Sequence, residues 1–261
     1  AAIWFQEHGT VEEATRHAME AEEWELATSL LVQICTELMR QERLSNLRQW
    51  LEPVPAEVLL REPRLCLWLA WAWVRHGRVA DALRMLESAG PSWSADEQES
   101  VRGLHLLICV LQTTYHQQPE VGIPVCDEAL TIFDERMPSQ RGVVLLLKAI
   151  LHEIDGDIDA AEPCLREMNV LAARASSQAL HLMERNAYAG MLIMRGRLRE
   201  AIALERHVIA TGDEWNDIVV HYAHWQLAEV LIARDELAEA EELIQRGYQI
   251  SLKTSAPLHR P

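Results

Sequence analysis

Apolar residues recur along most of this chain with the three-to-four-residue spacing of an amphipathic helix. One such stretch runs from Leu180 to Arg195, Gly196 interrupts it, and a second stretch runs from Leu198 to Ala210. Glycine commonly ends a helix because it adopts the left-handed backbone conformation without steric cost. No segment shows the strict alternation that is typical of strands. The pattern predicts an all-α protein made of helix, turn and helix units.

These units recur with a nearly constant period. A turn-forming residue is followed two positions later by a residue that is usually aliphatic, and five positions later by a small residue, as in Gly196–Ala201. A single turn of this kind would occur in any all-α protein, but five at constant spacing favour a repeat. The predicted turn residues are separated by 40, 39, 40 and 39 positions, and they are Gly77, Gln117, Gly156, Gly196 and Asp235.

Small residues lie at two fixed offsets from each turn. Five positions after the turns stand Ala82, Gly122, Ala161, Ala201 and Ala240, and seven positions before them stand Ala70, Ala149, Ala189 and Ala228, with Val110 as the exception. Small residues on both helices let a hairpin pack closely, which is typical of tetratricopeptide-type repeats. We therefore expect a right-handed superhelix of antiparallel hairpins, a tetratricopeptide-like α-solenoid. Because the period exceeds the usual length of about 34 residues, its helices or connections should be longer.

Residues 1–62 follow a different pattern. Two short helical units begin at Gly9 and Glu22, only 13 positions apart, and Pro53 and Pro55 interrupt the helices before Pro63 opens the first long repeat. We expect an N-terminal helical segment over residues 1–62 and the repeats over residues 63–261.

The N-terminal segment resembles a known family. The similarity lies in the spaced Trp, His, Gly, Glu and Ala residues between Ala1 and Leu31, in Leu47–Pro55, and in Arg61–Leu65. These strings resemble the segment after the ATPase core in the MalT-like large regulators of the LuxR family. Glu22 stands where that family usually has glycine, from which we expect a different turn.

The resemblance implies a regulatory role. In that family a nucleotide-binding switch domain precedes a tetratricopeptide-like sensor, and a helix-turn-helix DNA-binding domain follows it. This chain has no G-x-x-x-x-G-K-[ST] phosphate loop and no basic recognition helix near Pro261. The resemblance therefore implies the sensor portion of a longer, cytoplasmic bacterial transcription regulator, with no cofactor in this fragment and with ATPase and DNA-binding domains as its neighbours.

The composition indicates which kinds of partner we do not expect this chain to contact directly. The chain carries 24 Lys and Arg against 40 Asp and Glu, a net charge of -16, which argues against direct contact with nucleic acid. No apolar run approaches the roughly 20 residues of a membrane span, so we expect no membrane contact. The five cysteines stand singly without a C-x-x-C pair. This arrangement predicts reduced thiols, without disulfides or structural zinc.

Residues with catalytic or metal-binding patterns are few. The usual hydrolase, metalloprotease and cysteine-protease motifs are missing from the sequence, so we expect no enzyme. His221 and His224 share one helical face and could ligate a metal. A histidine pair without a third ligand is more often a surface or packing feature.

Alignment on the turns predicts a concave groove lined by residues 13, 10, 6, 3 and 2 positions before each turn, most of which are aliphatic or glycine. Three interpretations stay open: these residues belong to the core, they bind a small-molecule inducer, or they bind a helix of another protein or of a neighbouring domain. For an inducer, aromatic rings would stack and polar groups would fix orientation. The candidate ligand-binding residues are Trp71, Arg75, Tyr115, Glu153, Asn186, Tyr222, Trp225 and Glu229.

Two hypotheses of function follow. In the leading one the chain senses a small-molecule inducer, which shifts the population of conformations and so controls ATP-dependent activation of transcription. In the alternative it is a tetratricopeptide scaffold that binds a peptide or a regulatory protein.

Overall fold

The computed structural model describes residues 10–41, 43–88, 93–212 and 218–254. Over these residues the chain is all-α, without strands, and successive helices pack in pairs, which confirms the predicted fold class. None of the described helices is long and apolar enough to cross a membrane. The chain forms two compact units, Ala1–His105 and Leu106–Pro261. The change of sequence pattern near residue 62 thus lies inside the first unit.

From Thr10 onward, the described part of the first unit opens with a short hairpin. Thr10 and Glu13 form a reciprocal capping box that starts its first helix, and the buried Ala18 and Ala27 lie where its two helices pack. A second hairpin follows after two short helices. The helices are α1 (Val11–Glu20), α2 (Trp24–Arg40), α3 (Leu44–Leu51), α4 (Ala56–Leu59), α5 (Pro63–Arg75), α6 (Val79–Glu87) and the start of α7 (Ala95–Tyr115).

Over its described residues, the second unit contains the remainder of α7 and seven further helices. They are α8 (Pro119–Ile132), α9 (Pro138–Ile154), α10 (Ile158–Ala175), α11 (Gln178–Met194), α12 (Leu198–Gly212), α13 (Ile218–Ala233) and α14 (Leu237–Thr254). The first helices of successive hairpins also touch, α9 with α11 and α11 with α13. Helices of 17 and 18 residues, α9 and α10, with a three-residue turn and a two-residue return fill the 40-residue period. Long helices therefore account for the period.

The predicted turns share one hydrogen-bond pattern. All five predicted turn residues have positive φ, between 55° at Gln117 and 82° at Gly156. At Gly196 the turn amide donates to Ile193 O at 2.9 Å, and the Arg197 amide donates to Leu192 O at 2.9 Å. These two bonds define the Schellman motif, which satisfies carbonyls that the helix end leaves without partners.

Glu22 forms the same turn, so the expectation of a different one is wrong. Its φ is 55°, its amide donates to Met19 O at 3.1 Å, and the Glu23 amide donates to Ala18 O at 2.9 Å. The need to satisfy the carbonyls at the end of α1 sets this geometry. Glutamate adopts it at a steric cost that glycine would avoid.

The small residues at both offsets are buried, as close packing of the hairpins requires. The pair α7 and α8 departs from the alanine rule on both sides, with Val110 on α7 and Gly122 on α8. A Cβ atom on Gly122 would lie 2.6 Å from Thr113 Oγ1 and 2.6 Å from Leu151 Cδ1. Only glycine fits this position without a shift of its neighbours.

Candidate functional site

Trp71 and Arg75, two of the predicted groove residues, lie on α5 in the first unit. Trp71 is 0% exposed, and its indole Nε1 has no hydrogen-bond partner. The Arg75 guanidinium lies 5.7 Å from the centre of the Trp71 ring. Trp71 therefore packs in the core of this unit and does not line an open groove, as the core interpretation anticipated.

The other six candidates lie in the second unit, where each is on the first helix of a hairpin: α7, α9, α11 or α13. Glu153, Asn186, Tyr222 and Trp225 are half-buried, whereas Tyr115 and Glu229 are exposed. Trp225 resembles Trp71 in one respect, because its indole Nε1 is buried without a hydrogen-bond partner.

The groove positions of the second unit differ in burial according to their distance from the turn. Those ten to thirteen positions before a turn include the buried Leu107, Val143 and Met183, which belong to the core. Exposed apolar side chains lie at the ends of these helices, two positions before three of the turns and three positions before the fourth. We call these the turn-proximal row: Tyr115, Ile154, Met194 and Ile232.

A polar cluster joins three helices of the second unit. Asn186 of α11 donates through Nδ2 to Glu205 Oε1 at 3.1 Å and to Glu205 Oε2 at 3.2 Å, and Glu205 belongs to α12. The same nitrogen lies 3.0 Å from Gln226 Oε1 on α13. Glu205 is only 1% exposed, whereas the two amide side chains are half-buried. We call Asn186, Glu205 and Gln226 the amide–carboxyl cluster.

Burial raises the pKa of Glu205 to about 8, against the opposing effect of its hydrogen bond from Asn186. Glu205 is not among the residues predicted from the sequence, although one feature of its position distinguishes it. Glu205 stands nine positions after its turn, where the other four repeats carry apolar residues: Leu86, Cys126, Leu165 and Ile244. An acid at a position that is apolar in the other repeats indicates a buried polar contact specific to this repeat.

Two further acids of the second unit are perturbed by burial. Glu153, a predicted groove residue on α9, has its pKa raised to about 7. Burial also raises the pKa of Glu184 on α11, with Arg185 acting in the opposite direction. The carboxyl group of Glu153 therefore changes charge close to neutral pH, and a ligand or partner that covered it would alter its protonation.

The histidine pair packs inside the second unit. His221 is 0% exposed and its Nδ1 lies 2.9 Å from Gly247 O on α14, while His224 Nδ1 lies 2.7 Å from Val220 O. The His221 ring meets the Trp225 ring edge to face, with 6.0 Å between centres. Among the described residues no group of three or more His, Cys, Asp or Glu side chains could hold a metal ion. His221 thus joins α13 to α14, whereas the hydrogen bond between His224 Nδ1 and Val220 O stays within α13.

All five cysteines lie in described helices and carry free thiols, of which Cys109 alone is exposed. Burial raises the pKa of Cys35, Cys66 and Cys126 to about 12 each. Lys148 acts electrostatically on Cys126 and Cys164 in the opposite direction, a basic neighbour that the sequence did not indicate. Burial outweighs it, so these buried thiols are poor nucleophiles.

The string Leu47–Pro55 joins α3 to the α5–α6 hairpin. Glu52 Oε1 accepts hydrogen bonds from Arg48 Nε at 3.0 Å, Trp73 Nε1 at 2.8 Å and Arg78 Nη1 at 2.5 Å. The Arg78 guanidinium also lies 5.0 Å from the centre of the Trp73 ring. This part of the family-like string is thus a structural joint. The first nine residues of the N-terminal string lie outside the described residues.

Comparison with known proteins agrees with this architecture. The family model for the tetratricopeptide repeat matches residues 63–88 and 221–246, which correspond to parts of the α5–α6 and α13–α14 hairpins. Both matches include the turn and the small residues on either side of it.

Curated relatives extend over nearly the whole chain. A protein named HTH-type transcriptional regulator MalT from Vibrio parahaemolyticus is 23% identical over 99% of this chain and 29% of its own length. Proteins of the same name from Vibrio cholerae and Serratia proteamaculans are 22% and 23% identical over 99% and 91% of the chain, and over 29% and 27% of their own lengths. The chain thus spans less than a third of these relatives.

The described hairpins, their Schellman turns and the alanine contacts are those of tetratricopeptide repeats, and the similarity to MalT-type regulators extends through them. The resemblance first read from the N-terminal string is therefore confirmed along nearly the whole chain, which is a tetratricopeptide-like region related to the MalT transcriptional regulators.

Proposed function

We propose that this chain is the effector-binding, regulatory part of a MalT-like transcriptional regulator, and that it has no catalytic role of its own. A small-molecule inducer would bind on the first helices of the second unit, near Asn186, Tyr222 and Trp225. Binding would favour one arrangement of the hairpins over another and so control ATP-dependent activation by domains elsewhere in the parent protein.

The observation that carries this proposal is the similarity to curated transcriptional regulators across 99% of the chain. The chemistry of α11 and α13 supports it. Half-buried aromatic rings, Tyr222 and Trp225, stand on the same helix as Gln226 of the amide–carboxyl cluster. Aromatic rings that supply contact area beside a few polar groups that fix orientation are the usual components of a small-molecule site.

Calorimetric titration of the chain with a panel of candidate metabolites tests the proposal. A binding metabolite should lose at least tenfold in affinity on Tyr222→Ala, while the exposed Glu241→Ala variant on α14 should bind as the wild type does. Because the half-buried Tyr222 contacts His221 at 5.4 Å between ring centres, a circular dichroism spectrum of the variant must first confirm its fold. Equal affinity of both variants would place the ligand elsewhere and contradict the proposal.

A second candidate function, a scaffold for a protein partner, is favoured by the turn-proximal row. Its members are 37 to 71% exposed, and they lie at the C-terminal ends of α7, α9, α11 and α13. Exposed apolar side chains in a series are typical of protein contact surfaces. A helix with apolar residues on one face would bury them.

Capture of partners from a bacterial extract separates the two functions. Met194→Ser with Ile232→Ser should abolish retention of a true partner. Leu252→Ser is the matched control, because Leu252 is 58% exposed on α14 but lies outside the row. If the double variant retains the partner as well as the control does, the row is not its binding surface.

A further inference from the structure

The amide–carboxyl cluster poses a hydrogen-bonding problem that its geometry resolves. The side-chain amide of Gln226 directs one of its two polar atoms to Glu205 Oε1 at 2.5 Å, to Asn186 Nδ2 at 3.0 Å and to the backbone oxygen of Asn186 at 3.2 Å. If that atom is the amide nitrogen, it donates to the two oxygens but faces the Asn186 nitrogen at 3.0 Å, and two donors oppose each other. If it is Oε1, it accepts from Asn186, but two oxygens then face each other at 2.5 Å.

A proton on Glu205 removes the two closest of these conflicts. With Gln226 Oε1 toward Glu205, a carboxylic acid hydroxyl donates across the 2.5 Å gap, which is at the short end of the range for O–H to O hydrogen bonds. Asn186 Nδ2 then donates to Gln226 Oε1 and to the carboxyl group, and the opposition that remains is between Gln226 Oε1 and the backbone oxygen of Asn186, at the longer distance of 3.2 Å. An ionised Glu205 leaves a closer opposition, of two nitrogens at 3.0 Å or of two oxygens at 2.5 Å.

The surroundings of Glu205 supply no cation to hold it ionised. On α12 its neighbours Arg206 and His207 contact Glu239 of α14 and Arg185 of α11. Glu184 of α11 is an acid, and Glu229 of α13 is exposed to solvent. His221 and His224 of α13 lie against Gly247 O and Val220 O. A buried carboxylate without a cation is strongly disfavoured relative to its neutral form.

We propose that Glu205 is a neutral carboxylic acid in the native fold, that its hydroxyl donates to Gln226 Oε1, and that loss of this proton in alkaline solution loosens the contact between α11 and α13. The cluster then acts as a pH-sensitive joint between two successive hairpins. Because Glu205 contacts Asn186 of α11 and Gln226 of α13, a change in its protonation would alter the packing of these two helices.

The direction of the pH effect follows from linkage. Burial raises the pKa of Glu205 to about 8 from the ordinary value of 4.5. Between these two values the folded chain holds a proton that the unfolded chain has lost, so stability falls as pH rises, and above pH 8 the contribution levels off. Relative to a variant without this acid, the unfolding equilibrium constant should rise about tenfold per pH unit inside the window.

Glu205→Gln tests the proposal, because glutamine keeps the shape and offers a neutral donor to Gln226. Urea unfolding at pH 5, 6, 7 and 8 should show a wild type that loses stability relative to Glu205→Gln at each step. Glu200→Gln is the matched control on α12, since Glu200 is exposed and bound to Arg197, which lowers its pKa. Its difference from the wild type should stay constant over the same range.

Infrared spectroscopy gives a readout that does not depend on stability. The wild type at pH 7 should show a protonated carboxyl band that Glu205→Gln lacks, and the band should titrate away near pH 8. If Glu205→Gln fails to fold, Gln226→Leu should keep the band and move it to higher frequency, because the acceptor has gone. A wild type without the band at pH 7, or a pH-independent stability difference, overturns the proposal.

Discussion

Replacing Glu22 by glycine should stabilise the first unit. Glu22 holds a φ of 55° in the turn between α1 and α2. A residue with a side chain loses roughly 1–2 kcal/mol in this left-handed region. Glycine avoids that cost but is freer in the unfolded chain, which offsets about 0.4–1 kcal/mol of the gain. The free energy of unfolding should therefore rise by about 0.5–1 kcal/mol.

Urea denaturation followed by far-ultraviolet circular dichroism measures this change. With a slope of about 1–3 kcal/mol per molar urea, the midpoint should rise by a few tenths of a molar. Hydrogen exchange of the amides in α1 and α2 would assign the gain to this hairpin. The two hydrogen bonds of the turn use only backbone atoms, so the substitution leaves them intact.

Glu23→Gly is the matched control for this prediction. Glu23 is the next residue and has a φ of -78°, which side chains tolerate. Glycine there brings only extra freedom to the unfolded chain and should lower the midpoint. If Glu22→Gly lowers it by the same amount, no strain is stored at Glu22 and the reasoning from its backbone is refuted.

Three further predictions concern packing and thiols. Gly156→Ala should cost about 0.5–1 kcal/mol in urea unfolding, because the φ of 82° strains a side chain while alanine restricts the unfolded chain. An added methyl group would meet no atom within 4 Å, so contacts add nothing to this cost; an unchanged midpoint would contradict the prediction. Gly122→Ala should lower the melting temperature with a net cost of about 1 kcal/mol, because the new carbon would lie 2.6 Å from Leu151 Cδ1; a stabilised variant would show that Leu151 moves aside. In a titration with a coloured disulfide reagent, the exposed Cys109 should react first and the four buried thiols only on unfolding; rapid reaction of all five would disprove the burial argument.

The hairpins could be predicted from sequence because their signals are local and repeated. A turn residue such as Gly196 fixes the end of one helix, and Ala189 and Ala201 at fixed distances show which helix faces will meet. The fivefold recurrence at 39 or 40 positions separates these signals from chance. The left-handed turns at Gln117 and Asp235, which lack glycine, could be predicted from the spacing together with the small residues Gly122 and Ala240.

The candidate site was harder to predict because it depends on what covers each side chain. Trp71 and Tyr115 both stood at groove positions, yet one is fully buried and the other is 71% exposed. Register tells which way a side chain points from its helix, but not how closely the neighbouring helix approaches. Glu205 was overlooked because its partners, Asn186 and Gln226, come from two other helices.

The shared Schellman turn bears on how such a chain can change length during evolution. Excision of residues 157–196 would join Gly156 to Arg197, which reproduces the dipeptide at 196 and 197 and leaves Ala149 on α9 facing Ala201 on α12. Whole periods can therefore be lost or duplicated by recombination without a new kind of junction. The amide–carboxyl cluster restricts this freedom at one place, since α12 without α11 would retain Glu205 but lose Asn186. The turns would allow one hairpin to replace another, whereas a buried polar group such as Glu205 requires its particular neighbouring hairpin.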